Sequence, residues 1–456
     1  MDDKAVEQAK RELRAMAPQC LELAIGLHKQ GQFDKAESVY FGVLAADQDN
    51  VDALHYLGVM RHQQGRSLLA VDLVCRAIEI QPDYLDAYNN LGNIFQQLGN
   101  SAEAAKAYEK VLALQPGHAA ALRNLGIVLR QLKRFEEAID AHQRAVQREP
   151  ENLQNLYSLA IAYKEIGRID DALATLEKAL ATRPEPDGFR RLGQLLYGLR
   201  RTGEAAAVYE AWLRLDPESP VAKHMLAACT LKDVPPRAGD AFVTEVFDGF
   251  ADTFDKVLRR LEYRAPALIG AALRRTEGEG RGELDIADAG CGTGLLGQHL
   301  RPYARRLVGV DLSPRMLHKA AARALYDETV AAELVSFLRA SPQAFDIVAS
   351  SDTLVYFGEL GEAFAAAHGA LRPGGRLYFT LEHAVDPGDA TGGYRLNPHG
   401  RYSHSEPYVR QALADAGLQA VAVDKGRLRR EGNAYVEGLV VTARAPVESV
   451  AILRVR

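Results

Sequence analysis

The 456-residue chain carries 55 Lys and Arg against 60 Asp and Glu, a formal charge of −5, and is 47% hydrophobic. That length exceeds a single core and predicts two or three domains. The mildly acidic balance argues against nucleic-acid binding, which needs a basic surface, and no stretch approaches the roughly 20 apolar residues that span a bilayer.

Four scattered cysteines form no CxxC pair and no zinc-finger spacing, so neither a disulfide framework nor a metal site is expected. The first sixteen residues alternate acid, base and apolar groups, read as a helix over 1–16 with no signal-peptide core, which predicts a cytoplasmic protein. Leucine then recurs at Leu23, Leu57, Leu91, Leu125, Leu159 and Leu192. Each is followed by a small residue: Ala24, Gly58, Gly92, Gly126, Ala160 and Gly193. Alanine stands thirteen residues beyond each leucine, at Ala36, Ala70, Ala104, Ala138, Ala172 and Ala205. Proline closes five units, at Pro82, Pro116, Pro150, Pro184 and Pro217, with Gln48 the exception.

Small residues let two helices of a unit approach closely, and proline cannot continue the second helix. Each unit leaves an apolar face for its neighbour to cover. The 34-residue period resembles the tetratricopeptide repeat family, six units over 17–219, with a capping helix and linker over 220–241. The resemblance implies a concave face that binds a peptide or protein. That face is expected to carry Asn89, Asn90, Asn93, Gln96, Gln97, Arg123, Asn124, Arg130, Gln131, Tyr157 and Lys164. Asn90 and Asn124 stand one repeat apart, and their amides suit a peptide backbone or simply water and the next helix. The pair resembles the asparagine ladder of protein O-GlcNAc transferases.

Past Lys232, Val234-Pro235-Pro236 reads as linker. A helix is predicted over 242–261, with Phe247, Phe250 and Phe254 at helical spacing, and another over 266–275. Strands and helices then alternate, which predicts a mostly parallel sheet. Strands are expected over 284–289, 307–312, a short stretch ending near Leu334, 345–350 and 376–382. The last two, 418–429 and 437–444, are too close for a crossover and form an antiparallel hairpin.

The segment from Leu284 to Gly294 is a buried strand entering a glycine turn, Gly290, Gly292 and Gly294, where a ligand lies against bare main chain. Asp311, 21 residues beyond Gly290, ends the next strand where an acid holds ribose hydroxyls. Ser313-Pro314 caps the following helix. Together these mean an adenine-nucleoside site. Gly292, Gly294 and Gly297 also satisfy GxGxxG, so a nicotinamide cofactor is weighed. Asp288 suits the cationic methionine end of S-adenosylmethionine and would repel a pyrophosphate. Glu333 and the terminal hairpin favour the same cofactor.

Residues 242–445 resemble a class I methyltransferase, through Asp288-x-Gly-x-Gly-x-Gly, the fourth-strand run Phe345-Asp346-Ile347-Val348 and Leu371-Arg372-Pro373-Gly374-Gly375. With the repeats, the chain is similar to bacterial predicted methyltransferases containing tetratricopeptide repeats, which share a helix like residues 246–255. The implied fold is an N-terminal all-α superhelix followed by a Rossmann-like α/β domain with a seven-stranded sheet; the remaining tail over 446–456 is apolar and basic, and either pairs with another chain or stays loose. By that resemblance Asp288, Gly290, Gly292 and Gly294 hold the methionine part of S-adenosylmethionine and Asp311 the ribose. Leu312 packs on adenine, Glu333 reads its amino group, and Ser351 completes the cofactor set. Cys291 is expected to be packing.

Asp352 ends the fourth strand, either facing the transferable methyl or capping the next segment. Acceptor contacts are expected in the insertion 382–409. His383 or His404 is the candidate base, with Tyr356 a further catalytic candidate, and Arg395, Arg401 and Tyr402 hold the acceptor. Tyr263-Arg264 is a further candidate for orienting a carboxylate. The function expected is O-methylation of a hydroxyl or carboxylate, on a peptide, protein or carrier-bound substrate recruited by the repeats. The alternatives are a scaffold with a non-catalytic cofactor domain and, least favoured, an NAD-linked oxidoreductase.

Overall fold

A computed structural model describes residues 3–384, 392–431 and 434–447. The chain divides into two compact units, Met1–Leu192 and Gly193–Arg456. Most of the 446–456 tail lies outside the described residues. No described helix is long and apolar enough to cross a membrane.

The first unit is built of helix pairs: α1 (Asp3–Lys29), α2 (Phe33–Ala46), α3 (Val51–Gln63), α4 (Ser67–Ile80), α5 (Leu85–Gln97) and α6 (Ser101–Leu114). It continues with α7 (Ala119–Gln131), α8 (Phe135–Arg148), α9 (Leu153–Glu165), α10 (Ile169–Thr182) and the start of α11 (Pro186–Gly198). The predicted N-terminal helix runs unbroken through Pro18 into the first repeat. The recurring alanines, Ala36 through Ala205, are all fully buried. A Cβ on Gly58, Gly92 or Gly126 would stand 2.7, 2.6 or 2.5 Å from Val74, Tyr108 or His142, so the small residue admits the side chain of the paired helix. The recurring leucines are buried except Leu23, which is 57% exposed. Among the described residues no repeat packs ahead of the first to cover it.

The second unit opens with α12 (Thr202–Leu215), α13 (Pro220–Thr230), α14 (Asp240–Phe250), α15 (Phe254–Arg260) and α16 (Ala265–Glu277). The helix expected over 242–261 is thus broken by a turn at 251–253. There follow β1 (Leu284–Ala289), α17 (Gly297–Leu300), β2 (Ala304–Asp311), α18 (Pro314–Ala322), β3 (Glu328–Ala331), α19 (Leu334–Arg339) and β4 (Phe345–Ser350). After a single 3-10 turn (Leu354–Tyr356) come α20 (Gly361–Ala370), β5 (Leu371–His383), β6 (Tyr394–Leu396), β7 (Tyr402–His404), α21 (Glu406–Asp415), β8 (Gln419–Glu431) and β9 (Ala434–Arg444).

Seven strands lie in the order β3-β2-β1-β4-β5-β9-β8, parallel except for β9, which runs antiparallel to both β5 and β8. The hairpin β6–β7 adds two strands that sequence patterning does not reveal. Since β9 occupies one edge of β5 as far as Glu382, β7 pairs with Glu382 and His383 along the other edge, which β4 leaves after Ser350. The hairpin therefore stands over the carboxyl end of the sheet. Strand alternation sends Ile286, Ile347 and Tyr378 towards α16 and α17, and Ala287, Val348 and Phe379 towards α20 and α21. Both faces are covered, and ligands are left the crevice at the carboxyl ends, where strand order reverses between β1 and β4.

Candidate active site

The turn after β1 is built for a ligand. Gly290, Gly292 and Gly294 have φ of 82°, 54° and 85°, which side-chain-bearing residues rarely adopt. A Cβ on Gly290 would collide with Thr353, whereas one on Gly292 would meet only the Phe254 ring, at 3.9 Å. The open side of the turn is thus at Gly292. Asp311 braces it: one carboxylate oxygen accepts from the Gly292 amide and the other from the Ser313 amide, both at 2.9 Å.

Asp288 is fully buried beneath the turn. Its Oδ2 accepts from the Tyr326 hydroxyl at 2.6 Å, while Oδ1 has no partner among the described residues. Burial pushes its pKa up to about 7, against the pull of the Tyr326 hydroxyl. A buried carboxylate oxygen without a donor is costly unless a ligand supplies one, and an ammonium suits that oxygen by charge. Sequence reasoning missed Tyr326. Its ring stands where Cβ atoms on Gly294, Gly297 and Gly309 would fall, each at 2.9 Å. The third glycine of the GxGxxG match therefore makes room for a tyrosine.

α14, α15 and the bend between them close over the turn and the start of α18 through three acids. Asp248 accepts from Ser313 Oγ (2.5 Å), Asp252 pairs with Arg315 (2.5 Å) and Lys319 (3.0 Å), and Asp255 accepts from Thr293 Oγ1 (2.6 Å) and pairs with Arg323. Phe247 meets Phe254 and Tyr356 edge-on, at centroid distances of 6.1 and 5.5 Å. Phe250 instead faces out. Leu312 is half-buried beside Asp311.

Beyond the turn, the ends of β4, β5 and β8 converge on a buried ionic cluster. Arg429 pairs with Asp352 (2.9 Å), Glu431 (2.8 Å) and Glu382. Arg401 pairs with Glu382 (2.7 Å) and Glu431. Burial alone would raise Glu382, but Arg401, His399 and Arg429 hold it well below the usual carboxylate range. Burial raises the Asp352 pKa against the pull of Arg429. Tyr356, its phenol raised by burial, lies within reach of the same charges. Ser351 Oγ meets the Tyr263 hydroxyl at 3.0 Å; it joins β4 to this cluster.

The other expected residues lie around or away from this cluster. His404 is fully buried between Tyr394 and Tyr408 with Nε2 on the Gly358 carbonyl (3.1 Å), and burial lowers its pKa to about 4. His383 follows Glu382 in β5, so it points to the opposite face from the cluster. Tyr402 is buried and donates to the Pro235 carbonyl at 2.6 Å. Arg401 is committed to two carboxylates, and Arg395 lies in β6 opposite Ser403. Glu333 stands two residues past β3 and caps α19, accepting from the Val335 and Ser336 amides at 3.0 and 2.8 Å. In the repeats, Asn90 donates to His55 Nε2 (2.8 Å) and Asn124 to Asn93 Oδ1 (3.1 Å), so these amides tie neighbouring repeats together.

Residues 287–377 match the family model described as a methyltransferase domain, and residues 21–84, 89–152 and 157–220 match that of the tetratricopeptide repeat. The malonyl-[acyl-carrier protein] O-methyltransferase of Hahella chejuensis is 33% identical over 216 residues, covering 43% of this chain and 71% of that protein. The bifunctional biotin biosynthesis protein of Saccharophagus degradans is 27% identical over 158 residues, and the malonyl-[acyl-carrier protein] O-methyltransferase of Pseudescherichia vulneris 32% over 95. These cover 34% and 21% of this chain, which spans only 27% and 38% of their respective lengths. The crystal structure of MamA matches at 26% identity over 35% of this chain and 93% of its own, with a TM-score of 0.34.

Proposed function

As this chain belongs to the S-adenosylmethionine-dependent methyltransferases, with tetratricopeptide repeats ahead of the methyltransferase domain, we propose that it methylates an oxygen of an acceptor recruited by the repeats as a peptide, protein or carrier-bound group. The observation that carries this reading is the partnerless Oδ1 of Asp288 beneath an open glycine turn. When bound, S-adenosylmethionine supplies a methyl on a cationic sulfur. Asp288 takes its ammonium, the main chain of residues 290–294 lies along its methionine part, and Asp311 and Leu312 face its nucleoside. α14 and α15 lie over the turn, and alignment of bound reactants contributes up to roughly 7–11 kcal/mol of the barrier.

The relatives' names specify a carrier-bound malonyl group, which supports delivery of the acceptor on a carrier protein. A dinucleotide is disfavoured: Asp288 would repel its pyrophosphate, and Gly297 is explained by Tyr326. Calorimetry against S-adenosylhomocysteine and NADH tests the reading. Binding of the first and not the second is expected; NADH binding in its place removes the assignment. Methylation of a candidate carrier-bound acceptor then separates an enzyme from a scaffold that only holds the cofactor.

A further inference from the structure

Asp352 is held more tightly than a capping role requires. Its φ of 54° lies in the left-handed region that non-glycine residues rarely adopt. Its amide donates to Thr380 Oγ1 (2.9 Å), the Thr380 hydroxyl donates to Oδ1 (3.0 Å), and Arg429 donates to Oδ2 (2.9 Å). One donor per oxygen leaves each a further lone pair, and the side chain retains 14% of its exposure. The adjacent Thr353 donates to the Gly290 carbonyl at 3.1 Å, which sets Asp352 against the cofactor turn.

The charges around it are already balanced against any anion. All three guanidinium nitrogens of Arg429 are engaged, by Glu431, Asp352 and Glu382. Arg401 is shared between Glu382 and Glu431. His399 Nδ1 accepts from the Arg401 amide (3.3 Å), and its Nε2 faces Glu382 at 3.3 Å, so the ring is engaged on both sides within the cluster. Two guanidinium groups thus face three carboxylates, Asp352, Glu382 and Glu431. The surplus is negative. It suits a sulfonium neighbour, and it leaves an entering carboxylate no unpaired cation within the cluster.

We propose, resting on the methyl-transfer reading above, that the acceptor group is an uncharged hydroxyl and that Asp352 is the catalytic residue that holds it and takes its proton. Arg429 and Thr380 are positioning residues. The acceptor oxygen bonds to the methyl carbon as the carbon–sulfur bond breaks, its electron pair remains on sulfur, and the hydroxyl proton passes to the Asp352 carboxylate. An ionised carboxylate acceptor has no proton to give and would find no use for this base.

Two probes on one thioester scaffold test this with the full chain: S-(3-hydroxybutyryl)pantetheine and S-malonylpantetheine. With S-adenosylhomocysteine bound, calorimetry should show the hydroxyl probe binding roughly tenfold tighter than the malonyl probe. Given S-adenosylmethionine, the hydroxyl probe should be methylated. Asp352→Asn should keep the S-adenosylhomocysteine affinity within about twofold and lower kcat about a hundredfold, with KM little changed. Should Asp352→Asn fail to melt as a folded protein, Thr380→Val carries the test, with kcat down roughly tenfold at unchanged S-adenosylhomocysteine affinity. Equal or tighter binding of the malonyl probe, no binding or no methylation of the hydroxyl probe, or undiminished kcat in the folded variants overturns the proposal. Failure of S-adenosylhomocysteine itself to bind overturns the methyl-transfer reading instead.

Discussion

At the scale of single residues, Asp288 makes the site pH-sensitive. Its pKa of about 7 reflects burial, offset in part by the Tyr326 hydroxyl. An ammonium at Oδ1 favours the ionised form, so below pH 7 ligand binding must first expel a proton. Affinity for S-adenosylhomocysteine should therefore climb by at most about tenfold per pH unit up to about 7 and level off above it. Asp288→Asn should flatten this profile and cost about 2 kcal/mol of binding. Calorimetry between pH 5.5 and 8 reads both, and a flat wild-type profile would remove the ammonium from Asp288. Asp288, the three glycines and Asp311 were legible in the sequence because their spacing is set within one strand–turn–helix and the strand beside it. His404, Tyr402 and Arg401 were not, because their roles depend on distant partners: Gly358, Pro235, and the Glu382–Glu431 pair. Chain-local patterns name the residue types but not which face of β5 carries the ionic cluster.

At the scale of elements, the repeats were legible because their packing recurs at a fixed period, and that packing has opposite consequences at two kinds of position. A Cβ on Gly92 lies 2.6 Å from the Tyr108 ring. Gly92→Ala should therefore overpack α5 against α6 and destabilise the array by about 1–3 kcal/mol. Lys133 is the reverse case. Gly31, Gly65, Gly99 and Gly167 end the first helix of their repeats at φ between 75° and 79°, while Lys133 holds the equivalent position at 61°. Lys133→Gly relieves a left-handed backbone that costs an L-residue about 1–2 kcal/mol, less what glycine loses in chain entropy. A net gain of up to about 1 kcal/mol is expected. Urea melts of both variants check the pair; a Lys133→Gly loss as large as that of Gly92→Ala would undo the argument. The β6–β7 hairpin, by contrast, was invisible. Strands of three residues, broken by Asn397, Pro398 and Gly400, present no alternating run to read.

At the scale of the whole molecule, the periodicity ends the repeats at 219 and begins the catalytic domain at 242, but the second compact unit begins at Gly193. The reason lies in what α13 covers. Ala227 and Ala228 pack on Leu396 and Tyr402, and His224 donates to the Gly400 carbonyl at 2.9 Å. Tyr197 meets His399 edge-on at 6.2 Å, so the last repeat reaches the rim of the ionic cluster. The linker adds main-chain bonds: the Pro236 carbonyl accepts from the Gly358 and Glu359 amides, and the Ala238 amide donates to the Tyr356 carbonyl. A fragment starting at 242 loses all of these, leaving Leu396 and Tyr402 uncovered and the segment that follows Asp352 without its anchors. Five lost hydrogen bonds, counting that from Tyr402 to the Pro235 carbonyl, at about 1 kcal/mol each, with the apolar surface exposed beside them, approach the whole stability of a typical domain. A fragment starting at 186, which keeps α11 intact, should melt cooperatively and bind S-adenosylhomocysteine within about threefold of the full chain. The shorter one should aggregate or bind at least about tenfold more weakly. Equal melting and equal affinity for the two fragments would mean that α13 and the linker only connect, and that the acceptor site is complete without the last repeat.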